Sequence, residues 1–158
     1  MQLEREAAAP RSSGMGDGAM SSNEQQLFKA WVEFLGGYVW NHAIALTTRW
    51  GGTPERVEAE FRKRFAPNLA RMAQHGVSWF FALEDRVGGH PHLHALLGGT
   101  DGLTAKQVQQ AWKAGYSRPR VLHVEILADA EAAARYAVKS LGRFPDHYDL
   151  SRRWIPRR

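Results

Sequence analysis

Apolar positions recur along this chain with two periods, and each period predicts a different kind of element. After Ser22, the residues Leu27, Phe28, Trp31, Phe34 and Leu35 return at helical spacing, giving one apolar face expected in the core. Ser22-Asn23-Glu24-Gln25 fits a capping box at the start of this helix, and Gly36-Gly37 fits its stop. Tyr38 to Trp50 reads as a first strand. Its unbroken apolar run Ala43 to Leu46 predicts burial on both faces, hence a central position in a sheet. Thr53-Pro54 then has the form of an N-cap with proline at the first helical position. The helix it opens extends to about Gln74, with Val57, Phe61, Phe65, Leu69 and Met72 on one side. Pro67 is expected to kink or split it, because proline has no N–H to give and crowds the preceding turn. Arg56, Arg62, Lys63, Arg64 and Arg71 fall on the other side, expected to be solvated.

Two strand-like runs follow, Val77 to Leu83 and His92 to Leu97, separated by a segment containing Gly88-Gly89. This is the pattern of a β-hairpin. Gly98 to Gly102 reads as a loop, and Thr104-Ala105-Lys106-Gln107 as a second capping box before a helix carrying Val108, Ala111 and Trp112. Gly115 is expected to end that helix. Arg118-Pro119-Arg120 leads into a fourth strand, Val121 to Leu127, and Asp129 caps a last helix running to about Leu141. The order is α, β, α, β, β, α, β, α. Without the outer helices it is βαββαβ, which predicts an α+β fold: a ferredoxin-like or RRM-like antiparallel sheet with extra N- and C-terminal helices. Strands one and three would be its inner pair. The expected organisation is a disordered leader at 1–20, a single domain at 21–142 and a basic tail at 143–158.

Composition narrows the class. At 158 residues the chain is long enough for one domain with a real core. It has no cysteine, hence neither a disulfide framework nor a thiolate metal site. No apolar run approaches the ~18 residues a membrane span needs, and the N-terminus lacks a signal-peptide core. No membrane association and a cytoplasmic location are the expectations. The net charge of +5 favours a polyanionic partner. Residues 1–20 carry two Arg against two Glu and one Asp, whereas the final sixteen residues carry five Arg against two Asp. The arginines at 152, 153, 157 and 158 are therefore candidates for nonspecific phosphate binding.

The hairpin carries the candidate chemistry. His90, His92 and His94 stand at alternate positions, and residues two apart on a strand share a face. If the hairpin turns symmetrically about Gly88, Glu84 lies opposite His92 and Ala82 opposite His94. Directly paired residues share a face with Cβ atoms about 5 Å apart, so two imidazoles and a carboxylate converge on one ion. Two His and one carboxylate leave positions open for substrate oxygens and water. Asp85 alternates to the other face, and Pro91 with the glycines puts His90 at the loop end; both are weaker candidates. His42, His75 and His147 read as ordinary surface or core histidines. On the last helix Tyr136 and Lys139 are three apart and share a face. A phenol is a weak nucleophile at neutral pH, but a divalent cation that polarises a phosphate lowers that barrier, and a lysine stabilises the developing charge. Tyr38, Tyr116 and Tyr148 are poorer nucleophile candidates, in loops or at a strand start.

Three stretches in order resemble motifs of the HUH endonuclease superfamily, and more narrowly of the single-tyrosine rolling-circle replication initiators (Rep proteins). Ala43-Ile44-Ala45-Leu46-Thr47-Thr48 resembles the first-strand motif. Glu84 with Gly89-His90-Pro91-His92-Leu93-His94-Ala95-Leu96-Leu97 resembles the metal motif, and Arg135-Tyr136-Ala137-Val138-Lys139 resembles the tyrosine motif. The resemblance spans about Asn41 to Leu141. It implies Mg²⁺ or Mn²⁺ held by His92, His94 and Glu84, with Tyr136 attacking a phosphate of single-stranded DNA at an origin or hairpin. A 5′-phosphotyrosine and a free 3′-OH result, and a host helicase and polymerase are the implied partners. Lys139 supplies the catalytic cation, and Thr47, Thr48, Trp50 and Arg135 are candidate DNA contacts. Trp50 would stack a base or anchor the core equally well. Unlike larger viral initiators, the chain has no GxxxxGK[ST]. The alternatives are a single-tyrosine HUH transposase and a non-catalytic RRM-like module binding single strands.

Overall fold

The computed structural model describes residues 21–48, 53–84, 91–113, 119–126, 135 and 148–151, with 47, 48, 84, 113 and 119–126 taken for their backbone alone. The elements are α1 (Ser22–Gly36), β1 (His42–Thr48), α2 (Pro54–Glu60), a π turn (Phe61–Phe65), α3 (Ala66–Ala73), β2 (Ser78–Glu84), β3 (His92–Gly98), α4 (Ala105–Lys113), β4 (Pro119–Ile126) and β5 (Tyr148–Leu150). The fold is α+β, built on a five-stranded sheet in the order β4-β1-β3-β2-β5. Every neighbouring pair is antiparallel. Strands β1 and β3 are inner, and Ala43 to Leu46 is buried throughout, as its unbroken apolar run requires.

Alternation along the strands divides the core in two. Ile44, Leu46, Phe81, Leu83, Leu93, Ala95 and Leu97 face the α2–α4 side, where they pack with Val57, Phe61, Phe65, Leu69, Val108 and Trp112. Ala43, Phe80, Ala82 and Leu96 face the other side, where α1 covers them with Val32 and Leu35. The four buried residues of α2–α3 stand four apart. On a regular α-helix each such step drifts about 40° around the axis. The π turn widens the helix between the second and third of them and holds Phe61 and Phe65 on the same side, both essentially fully buried. It also sits directly before Pro67, whose missing N–H leaves a gap in the helical ladder. The kink expected at Pro67 therefore takes the form of a wider turn upstream of it. On the solvent side Arg62 pairs with Glu58 at 3.3 Å and with Asp149 at 3.0 Å, and Arg64 with Glu60 at 3.4 Å. Arg62, Lys63 and Arg64 are exposed, so this face is solvated as expected.

Three expectations need correction. The α1 cap is Ser21, one residue earlier than the Ser22 box: Glu24 N donates to Ser21 Oγ and Ser21 N to Glu24 Oε2 at 2.7 Å. A carboxylate three residues into the helix answers the N-terminal N–H groups better than the neutral Gln25 does. The α1 face is only partly core. Leu27 and Phe34 are 50% and 44% exposed, because one helix lying across a sheet can bury only the stripe that meets it. With Ala30, Trp31 and Leu150 they line a shallow apolar groove of about 390 Å³. Third, residues 148–150 belong to the sheet rather than to a basic tail. Strand β5 pairs with β2 through Phe80/Leu150, Phe81/Asp149 and Ala82/Tyr148. Ser151 N donates to Trp79 O at 2.8 Å, and Trp79 N to Ser151 Oγ at 2.9 Å. Tyr148 is thus a strand residue, not a loop residue. The second capping box is present as read, with Thr104 N donating to Gln107 Oε1 at 2.8 Å. The last helix falls outside the described residues except for Arg135, which is helical and exposed.

Candidate metal centre on the central strand

The β2–β3 register pairs Glu84 with His92, Leu83 with Leu93 and Ala82 with His94. The β1–β3 register pairs Thr47 with His92 and Ala45 with His94. Two rows therefore cross the sheet on its α1-side face. In one, His92 stands between Thr47 and Glu84; in the other, His94 stands between Ala45 and Ala82. Alanine on both flanks keeps the cross-strand neighbours of the buried His94 small. The cover of this face reaches the His94 row: α1 packs on Ala43, Phe80, Ala82 and Leu96, and Ala45, Ala82 and His94 are all buried.

His94 is 2% exposed and His92 half-buried, so the pair runs from the interior towards the surface. The burial of His94 excludes a solvated sheet face as the reason for its presence. Their ring centres are 6.5 Å apart at 71°. With a metal–nitrogen bond of about 2.1 Å, two imidazoles sharing one ion at a tetrahedral or octahedral angle stand closer than this, so the rings would have to swing together to hold one. Two imidazole nitrogens, joined by the carboxylate of Glu84, would be a donor set for a divalent first-row ion. Among the described side chains no group of three His, Asp or Glu comes together. The pair of imidazoles is the observed part of the site, and Glu84 is placed by its backbone register.

The other expected site residues are distributed unevenly. Thr47 lies on the His92 row, and Thr48, next along β1, alternates to the opposite face. Arg135 is exposed. Tyr136, Lys139, Trp50, His90 and Asp85 lie outside the described residues.

Strand β4 adds residues that the sequence reading did not assign to the site. Glu125 pairs with Ala43 and His123 with Ala45, so both fall on the histidine face. After Ala45 the register shifts by one, and Arg120 pairs with Thr47. Alternation within Val121 to Leu127 identifies the parity of His123 and Glu125. The one-residue shift that brings in Arg120 has no counterpart in the local sequence.

His42 is a second buried histidine, on the opposite face. It is 1% exposed, and its Nδ1 lies 2.7 Å from Thr100 Oγ1. Thr100 N also donates to Asn41 Oδ1 at 3.0 Å, and Asn41 N to Leu97 O at 2.7 Å. Together these bonds fix the turn after β3. Burial pushes the His42 pKa below the usual histidine value, with the Leu103 backbone and Asp101 acting the other way.

Compared with protein-family models, curated proteins and solved structures, the chain has no significant match in any of the three. No helix among the described residues is long and apolar enough to cross a membrane.

Proposed function

We propose that this protein is a metal-dependent endonuclease that nicks and rejoins single-stranded DNA through a 5′-phosphotyrosine, as a rolling-circle initiator of the HUH type does. The observation that carries the reading is the β2–β3 register, which pairs Glu84 on β2 with His92 on β3, so that Glu84, His92 and His94 share one face of the sheet. The antiparallel order β4-β1-β3-β2, with β5 at the edge, supports a ferredoxin-like reading of the sheet. Supporting it from the sequence are the ordered first-strand, His92-Leu93-His94 and Tyr136-x-x-Lys139 motifs and the basic charge.

In this reading His92, His94 and Glu84 hold Mn²⁺ or Mg²⁺, which when bound supplies Lewis-acid polarisation of the phosphate. Tyr136 Oη forms a bond to phosphorus while the P–O3′ bond breaks. The tyrosine proton leaves to solvent, and the 3′-oxygen takes up a proton to become a free hydroxyl. Lys139 stabilises the charge that gathers on the oxygens. One phosphoester replaces another, so the same residues run the reverse step and rejoin ends. The polymerase and helicase of a host replicon are the partners this product calls for.

The test incubates the protein with a pool of single-stranded oligonucleotides and Mn²⁺ and looks for an adduct that survives SDS. The adduct is expected, and it should vanish with Tyr136→Phe, with His92→Ala and with chelator. An adduct that persists in Tyr136→Phe removes the tyrosine from its role. Tight single-strand binding with no adduct on any sequence identifies a non-catalytic binding module instead.

A further inference from the structure

Strands β1 and β4 pair with a constant register from His42/Ile126 to Ala45/His123, and then the register slips by one. Leu46 pairs with Val121, Thr47 with Arg120 and Thr48 with Pro119, so Leu122 is an extra residue on β4, a β-bulge. Without the slip, Thr47 would oppose Val121, and Arg120 would oppose Thr48 on the face packed by α2–α4. The bulge exchanges these positions. Val121 joins Leu46 on the apolar face, where burying a guanidinium would be costly. Arg120 joins Thr47, and through Thr47 the row of His92 and Glu84. Two strand spacings separate Arg120 from His92, about 10 Å between backbones.

The row then reads Arg120, Thr47, His92, Glu84 across four strands. By register, an arginine position stands at one end and the candidate metal-ligand positions at the other, with a threonine position between. A phosphodiester carries one negative charge shared by two non-bridging oxygens, which a guanidinium can take in a forked, two-bond contact. We infer that Arg120, re-phased by the bulge at Leu122, binds a backbone phosphate of the single strand that crosses the histidine row. The inference rests on the nucleic-acid reading above and adds to it a residue and a direction, from β2 towards β4 along the row.

The test is the salt dependence of single-strand binding, measured by fluorescence anisotropy on a labelled mixed-sequence oligonucleotide without divalent ion. Each neutralised phosphate of a single strand contributes about 0.7 to the slope of log K against log salt. Arg120→Ala is expected to lower the slope by about that amount and Arg120→Lys to keep it. Arg71→Ala, on α3 across the sheet, is expected to leave it unchanged. Thermal melting identifies any variant that has lost its fold, and Arg120→Gln then takes its place. An equal slope in wild type and the folded Arg120 variant overturns the inference, and so does a wild type that binds no single strand. The SDS-resistant adduct reads out nicking separately. An adduct with an unchanged slope keeps the nuclease and removes Arg120; a reduced slope without an adduct keeps Arg120 as a phosphate contact and removes the nuclease.

Discussion

Glu84 and His92 are direct cross-strand partners, the last pair of β2 and β3 before the segment that connects them. The pair adjoins His94, which is buried between Ala45 and Ala82. If these three residues share an ion, their contributions differ in kind. His92→Ala and His94→Ala each remove a nitrogen ligand, and each should weaken Mn²⁺ binding by about tenfold or more, a change of ~1.4 kcal/mol. Glu84→Gln keeps size but loses charge and should weaken it as well. Calorimetric titration with Mn²⁺ reads all three. Full affinity in Glu84→Gln would leave a two-histidine site completed by another residue.

His42 couples acidity to stability. Its folded pKa lies below the unfolded value of about 6.5, because the buried ring resists charging. Above the unfolded value both states are neutral and the contribution is intact. As pH falls below it the unfolded chain binds the proton first, and stability is lost. Denaturant melts between pH 7.5 and 5.5, to take a range of about one unit each side of the unfolded value, should show that decline. His42→Gln should flatten it. An unchanged slope in the variant would assign the effect to another group.

Ser151 anchors the edge of the sheet. Its backbone and hydroxyl both bond Trp79, and it is 8% exposed. Ser151→Ala removes the bond from Trp79 N and should cost about 1–3 kcal/mol, the range for a buried donor left without its acceptor. Ending the chain before Tyr148 should do more, because it uncovers the hydrogen-bonding edge of β2 and invites self-association. Chemical denaturation and light scattering distinguish the two effects.

Gly98 has no room for a side chain. A Cβ there would stand 2.7 Å from Val39 O, a backbone atom that cannot rotate aside. Gly98→Ala should destabilise by about 1–3 kcal/mol, as overpacking does. Because Asn41 and Thr100 close the same turn, a thermal melt should fall without any change in the histidine pair. A variant as stable as the wild type would show that the lead-in to β1 gives way.

Much of the site was legible because strand alternation and hairpin pairing are local rules. Placing the turn near Gly88 yields the Glu84/His92 and Ala82/His94 pairs by counting, and the observed register has both. The Thr53 and Thr104 caps were legible for the same reason, since each bond spans three residues. The Ser21 cap was missed by one position because two adjacent serines offer nearly the same local chemistry.

The order of elements from α1 to β4, the inner position of β1 and β3 and the histidine register were thus determined by the sequence alone, through periodicity and short-range pairing. Tertiary structure decided the rest. Tyr148–Leu150 is too short to show a period, and it becomes a strand only because the open edge of β2 needs partners. Leu27 and Phe34 share a helical face with Leu35, yet which of them is buried depends on the width of the sheet beneath α1. The slip at Leu122 sets Val121 opposite Leu46 and Arg120 opposite Thr47, and it arises between two strands that no local window of the sequence contains together.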